Sequence, residues 1–205
     1  MKPEKLIAPF AALAFIALAA CSSLGPGPQP QLYMLSPQLA ALGDAPEAKW
    51  QLVVAEPETP ESLNSPRIAL TRGDMLDYYA GAAWADRVPY LIQGALVDAL
   101  DKSGKIAAVA RDTDGVRGDY RLETELKDFS AHYQTEDGAP TVTVRIVAKL
   151  VAADGRQIVA SLDSVHSEQA SANSVPAVVD AFNTALSASL EEIAGWALKA
   201  PPVSQ

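Results

Sequence analysis

Residues 120–150 read YRLETELKDFSAHYQTEDGAPTVTVRIVAKL. Tyr120, Leu122, Thr124 and Leu126 alternate with charged neighbours, the period-2 pattern of a strand with one covered and one wet face. After Asp128 the alternation slips by one residue. Phe129, Ala131 and Tyr133 then continue it, as an extra residue in a β-bulge allows. Glu136-Asp137-Gly138 supplies turn residues. Val142, Val144, Ile146, Ala148 and Leu150 next share a face opposite Thr143, Arg145 and Lys149. Asp154-Gly155 is a strong hairpin signal, and Ile158 to His166 returns as a third long strand. Short connections between long amphipathic strands predict antiparallel pairing, with the polar face in water.

Shorter strands precede this core. Gln31–Leu35 alternates, Trp50–Val54 ends in the Pro57–Pro60 stretch, and Arg67–Leu70, Met75–Tyr79 and Ile106–Ala110 read as further strands. Two helices fit the 3.6-residue period. The first begins at Asp86, read as its N-cap, with Pro89 in the first turn and Gly104 at the end. Val88, Leu91, Ile92, Ala95, Leu96, Ala99 and Leu100 fall on one of its faces. The second starts after Ser174 with Pro176 in its first turn. Val175, Val178, Val179, Phe182, Leu186, Leu190, Ile193 and Ala197 form its apolar stripe. The expected fold class is α+β: a two-layer sandwich in which two amphipathic helices cover one face of a mainly antiparallel sheet.

Ahead of the body, Met1–Lys5 carries two lysines, and Leu6–Ala20 is uncharged and apolar apart from Pro9. Fifteen such residues are too few for a spanning helix, which needs about 20, and suit a signal-peptide core. The run closes on Leu18-Ala19-Ala20-Cys21, and Cys21 is the sole cysteine. Small residues before a cut and a cysteine after it resemble the lipobox of bacterial lipoproteins. On this reading residues 1–20 are a signal peptide and Cys21 is a lipidation site. With no second cysteine a disulfide within the chain is excluded. Ser22–Pro30 alternates Pro and Gly and reads as a flexible tether, so 21–30 is a lipidated linker, 31–200 the folded domain and 201–205 a loose tail. Ser22 stands where many inner-membrane-retained lipoproteins carry Asp. By resemblance to enterobacterial sorting this points to the outer membrane, facing the periplasm, with the inner membrane as the alternative.

Composition sets bounds. Half the residues are apolar (49%) and a fifth charged (20%), ordinary values for a domain with a real core. The formal charge is −9, and removing Lys2, Glu4 and Lys5 with the signal makes it −10. An acidic body argues against nucleic acid and against adsorption to anionic lipid through charge. Signals for catalysis are few. His132 and His166 lack metal-ligand spacing, and no G-x-S-x-G, H-E-x-x-H or phosphate loop occurs. Glu123 with Glu125, and Asp154 with Asp163, are carboxylate pairs that a glycosidase could use. At i, i+2 on a strand's outer face, Glu123 and Glu125 fit a solvated edge better. Neither a cofactor nor a metal is expected.

Residues 76–90 read LDYYAGAAWADRVPY. Two readings apply. In one, Trp84 packs the strand-to-helix corner and Asp86 caps the helix. In the other, Tyr78, Tyr79 and Trp84, with Asp86 and Arg87, form a partner-binding surface, since aromatics dominate binding hot spots.

These motifs recur in order along the body: Tyr33-x-Leu35 after the lipobox, Val54-Ala55-Glu56-Pro57, Arg67-Ile68, the Tyr79…Trp84-Ala85-Asp86-Arg87-x-Pro89 block, and Asp119-Tyr120-x-Leu122 with Asp128-Phe129. Together they resemble the ABC-type transport auxiliary lipoprotein family, PqiC-like members included. The resemblance implies a non-enzymatic partner of a mammalian-cell-entry (MCE) domain protein, a permease and an ATPase. Such systems move lipids or other hydrophobic molecules across the envelope. It implies a docking adaptor held to the membrane by its lipid anchor, with a homo-oligomer as one form. A stand-alone periplasmic lipid carrier and an envelope hydrolase are the rivals. An internal apolar cavity would mark the carrier, and a packed core with an exposed aromatic patch the adaptor.

Overall fold

The computed structural model describes residues 29–40, 42, 43, 45–153 and 157–199. The segments expected to be a signal peptide (1–20), a lipidated Cys21 and most of a tether, together with the expected Asp154-Gly155 turn and loose tail (201–205), lie outside them. The chain divides into Met1–Pro30 and the body that starts at Gln31.

The body's elements are β1 (Gln31–Tyr33), β2 (Ala48–Val54), β3 (Arg67–Arg72), β4 (Met75–Trp84), α1 (Val88–Lys102), β5 (Ile106–Arg111), a 3₁₀ turn at Asp112–Asp114, β6 (Tyr120–Tyr133), β7 (Thr141–Ala152), β8 (Ile158–Gln169) and α2 (Val175–Ala197). This is the expected α+β arrangement. The bulge falls where the alternation slips, between Leu126 and Asp128 in the β6–β7 ladder.

β6 is the spine of one eight-stranded sheet. One of its edges pairs antiparallel with β7 along nearly its whole length, and β7 pairs antiparallel with β8. Its other edge is shared. β2 lies parallel to Tyr120–Leu122, and β3 lies parallel to Ser130–Tyr133. Between them the chain after β2 follows the same edge: Ala55 N donates to Leu122 O (3.0 Å), Glu58 N to Thr124 O (2.9 Å), and Glu58 O accepts from Leu126 N (2.8 Å). Residues 48–72 therefore form one interrupted partner for β6, with 60–66 looped out. Pro57, Pro60 and Pro66 explain the interruption, because proline has no N–H to donate to a ladder. The sheet forks from there. β2 carries β5 in parallel, while β3 carries β4 antiparallel and β4 carries β1 in parallel.

Both helices cover one face, α2 over β7 and β8 and α1 over β5 and β2. Val142, Val144, Ile146, Ala148 and Leu150 are buried under them, as the alternation predicts. Trp84, Phe129 and Phe182 interlock between the layers, with Phe129 and Phe182 centroids 4.5 Å apart. The helix stripes hold and are widened, on α2 by Ala177, Ala181, Ala185, Ser189 and Ala194 and on α1 by Pro89 and a polar residue, Gln93. Gln93 is buried, and its Nε2 donates to Val54 O (3.1 Å) and Asp112 Oδ1 (2.9 Å). A buried amide is tolerated because it is hydrogen-bonded.

Two local expectations need correction. β4 does not stop at Tyr79 but runs to Trp84, because β1 pairs with Ala82–Trp84 and satisfies a second row of backbone groups there. The N-cap of α1 is Arg87 and not Asp86; Asp86 Oδ1 instead accepts from Arg87 N (2.7 Å). Ser174 does occupy the N-cap position of α2, without a capping hydrogen bond from its side chain.

Candidate functional site

The aromatic block is distributed over three environments. Trp84 is only 1% exposed, its ring edge-on to Phe182 at 5.2 Å. The reading of Trp84 as an exposed anchor is therefore corrected: a core indole offers no surface to a partner. Its Nε1 has no hydrogen-bond partner among the described residues, the cost of placing the ring in an apolar layer.

Tyr78 and Arg87 act on the looped-out segment. Tyr78 OH donates to Ser62 O (2.9 Å), and the Arg67 guanidinium lies 3.4 Å from the Tyr78 ring centroid. Arg87 Nη1 donates to Asn64 Oδ1 (2.6 Å) and its Nη2 pairs with Glu56 Oε1 (2.9 Å). These contacts, with Trp84 N donating to Pro66 O (2.7 Å), tie Glu56 and residues 62–66 to β4 and to the start of α1.

Tyr79 points to the opposite face of β4. Its hydroxyl meets that of Tyr133 (2.8 Å), which donates to Asn173 Oδ1 (2.7 Å). Burial first, and then the Tyr133 hydroxyl, push the Tyr79 phenol well above its ordinary range. The Arg72 guanidinium lies over the Tyr133 ring (4.9 Å).

The exposed apolar part of this region is the β3–β4 hairpin tip. Met75 is 68% and Leu76 45% exposed, beyond the turn where Gly73 takes φ +58°, a left-handed conformation natural to glycine. Among the described residues, β1 alone pairs with this edge of β4, at Ala82–Trp84, and Met75–Gly81 has no strand partner on it. The sequence pattern had Met75 in a strand, but its exposure depends on the fold leaving that edge unpaired.

The open face of the sheet carries the charged residues. Glu123 sits 3.6 Å from Arg121, and Glu125 pairs with Lys127. The carboxylate pair weighed for catalysis is thus a set of solvated ion pairs. A cleft of about 230 Å³ there is lined by Glu56, Glu58, Glu123, Glu125, Arg121 and Lys149, among others. Asp163 receives both Arg145 Nε (3.0 Å) and Nη2 (2.7 Å), which holds its carboxyl below the usual range.

The two histidines are placed apart. His166 Nε2 contacts Glu192 Oε2 (2.9 Å), and Ser164 Oγ donates to the same oxygen (2.6 Å). Those two bonds, Ser164's the larger, hold Glu192 low. His132 Nδ1 contacts Thr71 Oγ1 (2.8 Å) and its Nε2 contacts Asp128 Oδ2 (2.8 Å), while Ser130 Oγ donates to Asp128. The hydrogen bond to Asp128 outweighs partial burial and raises the His132 pKa. Sequence reasoning missed this cluster. Asp128, Ser130 and His132 share a period-2 face, but Thr71 reaches them only as the register partner of His132. Among the described residues no three His, Cys, Asp or Glu side chains are grouped to hold a metal, and no helix is long and apolar enough to cross a membrane.

The fold defines a class: a two-layer α+β domain on a forked sheet. Residues 33–194 match the family described as ABC-type transport auxiliary lipoprotein component, and the chain belongs to that family. Its fold is similar to that of protein XCC0632 from Xanthomonas campestris, assigned to DUF330. The two are 32% identical with a TM-score of 0.77, over 82% of this chain and 94% of that one. A second crystal structure, of an uncharacterized protein, shares the fold at 15% identity and a TM-score of 0.63, over 81% of this chain and 97% of that one. A relative from Bradyrhizobium diazoefficiens, the uncharacterized protein bll6063, is 28% identical over 149 residues, 73% of this chain. The matched region spans 40% of that relative's length.

Proposed function

We propose that this chain is the lipid-anchored periplasmic auxiliary component of an MCE-type ABC transport system that moves lipids or other hydrophobic molecules across the envelope. Cys21 is its lipidation site and the outer membrane its location. It acts as a docking adaptor for the MCE-domain protein that works with the permease and ATPase, and it catalyses no reaction.

The observation that favours an adaptor over a lipid carrier is the filled layer between helices and sheet. Trp84, Phe129 and Phe182 occupy the space an acyl chain would need. The hairpin tip is the docking surface in this reading: Met75 and Leu76 supply apolar area and Tyr78 and Tyr79 follow them along β4, while Asp86 and Arg87 lie beyond Trp84 at the strand's far end and outside this surface. A free strand edge offers backbone groups for a partner strand as well.

The test is capture of the MCE-domain protein encoded beside this chain by the solubilised lipoprotein. Met75→Asp with Leu76→Asp should cut capture at least tenfold and leave the melting temperature unchanged. Full capture by the double variant removes the hairpin from the interface. No capture by the wild type removes the MCE assignment.

A further inference from the structure

From Leu6 to Gly43 the sequence contains no charged residue, although a fifth of the chain is charged. Within the signal region that is ordinary, but the neutral run continues through Ser22–Gly43, past the tether and into the body. There it passes through β1 and then a strap over α2. Ser36 N donates to Asn183 Oδ1 (2.8 Å), and Ala40 N donates to Glu191 Oε1. The strap is thereby fixed. Tyr33 and Leu35 turn inward onto the core. Leu32 and Met34 turn outward, 62% and 68% exposed.

Two large apolar side chains in water at that position have a specific neighbour. Leu32 lies eleven residues after Cys21. Fully extended, that length reaches no more than about 35–40 Å. As a flexible chain it spans roughly 17–20 Å. If Cys21 carries the lipid, β1 is leashed beside the bilayer, while the hairpin tip lies at the other end of β4, roughly 20 Å away at about 3.3 Å per residue. Contact with lipid headgroups and acyl chains favours side chains that carry no charge to desolvate, and residues 22–43 carry none; the charges that border them include Glu191, which accepts from Ala40 N, and Asp86, which follows the Ala85 whose N donates to Tyr33 O.

We propose that Leu32 and Met34, with the neutral strap that follows them, rest on the lipid surface that holds Cys21, so that the body lies on the membrane with β1 down and the β3–β4 hairpin pointing away. The inference rests on the lipid anchor proposed above. Neutral side chains account for contact with an anionic bilayer despite the acidic body.

The test uses the full lipoprotein in vesicles of phosphatidylethanolamine and phosphatidylglycerol. Because lipidation consumes Cys21, Met34→Cys provides a single free thiol for an environment-sensitive dye. Leu32→Cys is the second probe, and Val165→Cys on β8 is the remote control. The expected result is a blue-shifted emission at 32 and 34, quenched at least twofold by shallow nitroxide lipids, with water-like emission at 165. Intact mass reports Cys21 separately. Lipid on Cys21 with water-like dyes at 32 and 34 overturns the orientation and leaves the anchor standing. A blue shift that nitroxide lipid does not quench means that protein covers the site, and overturns it too. So does equal quenching at 165. A mass without lipid overturns both readings.

Discussion

The indole of Trp84 meets the ring of Phe182 edge-on, with planes at 88° and centroids 5.2 Å apart. One ring ends β4 and the other sits in the buried stripe of α2, so this contact joins the hairpin arm of the sheet to the helical layer. An edge-to-face pair of this kind contributes beyond the area it buries.

Trp84→Ala should therefore cost about 3–5 kcal/mol of stability, as removal of a buried aromatic does. Chemical denaturation monitored by circular dichroism measures it. Any loss of partner capture should follow the unfolded fraction. A variant of wild-type stability that fails in capture would contradict the core assignment.

Gly118 sits where β6 begins beside β2. A Cβ there would lie 2.9 Å from Gln51 O and from Tyr120 O, and 3.1 Å from Val53 N. All three are backbone atoms of the ladder and have little room to yield. Gly118→Ala should cost about 1–3 kcal/mol through overpacking. The increase in amide exchange should concentrate in β2 and β5. Unchanged exchange there would show that the backbone relaxes freely.

The Thr71–His132–Asp128 chain ties β3 to β6 across the open face. The folded pKa of His132 is raised above its unfolded value. The charged imidazole, with Nε2–H donating to Asp128, thus adds stability that is fully present below about pH 6.5 and is lost as pH rises through the folded pKa. The pair is partly exposed, so its contribution should be about 1 kcal/mol or less. The stability gap between wild type and His132→Gln should be widest near pH 6 and narrow toward pH 8. A gap that widens with rising pH would reverse the assignment. Lys127 and Arg145, the register partner of Asp128, flank this cluster and belong in any fit of the titration.

Cys21→Ser should abolish lipidation. Metabolic labelling with a palmitate analogue and intact mass of the purified protein check this. Equal label on both forms would dismiss the lipobox reading.

Tyr79→Phe removes one hydroxyl from the Tyr79–Tyr133–Asn173 chain and leaves Tyr133 bonded to Asn173. A cost of about 1 kcal/mol is expected. Tyr133→Phe should cost more, since it orphans both neighbours. Urea melts of the two variants give the order.

The sequence by itself determined the type of nearly every element. Alternation from Tyr120 to Leu150 is a local property of the chain, and so are the slip at Asp128, the helical stripes and the charged outer face. Each follows from which side chains meet water. Strand direction and partnership were decided only by the tertiary structure. An apolar residue at every second position buries equally well beside a parallel or an antiparallel neighbour, so nothing local distinguished the parallel pairing of β2 and β3 with β6. Ala80-Gly81-Ala82 is likewise poor in β-branched and aromatic residues, and β4 reaches Trp84 because β1 arrives to pair with it. Trp84 itself suited core or surface by composition, being large, apolar and tipped with one polar N–H, and packing against Phe129 and Phe182 chose the core. The His132 cluster was illegible for a related reason: Thr71 and His132 are 61 residues apart, and only the register of β3 on β6 makes them neighbours.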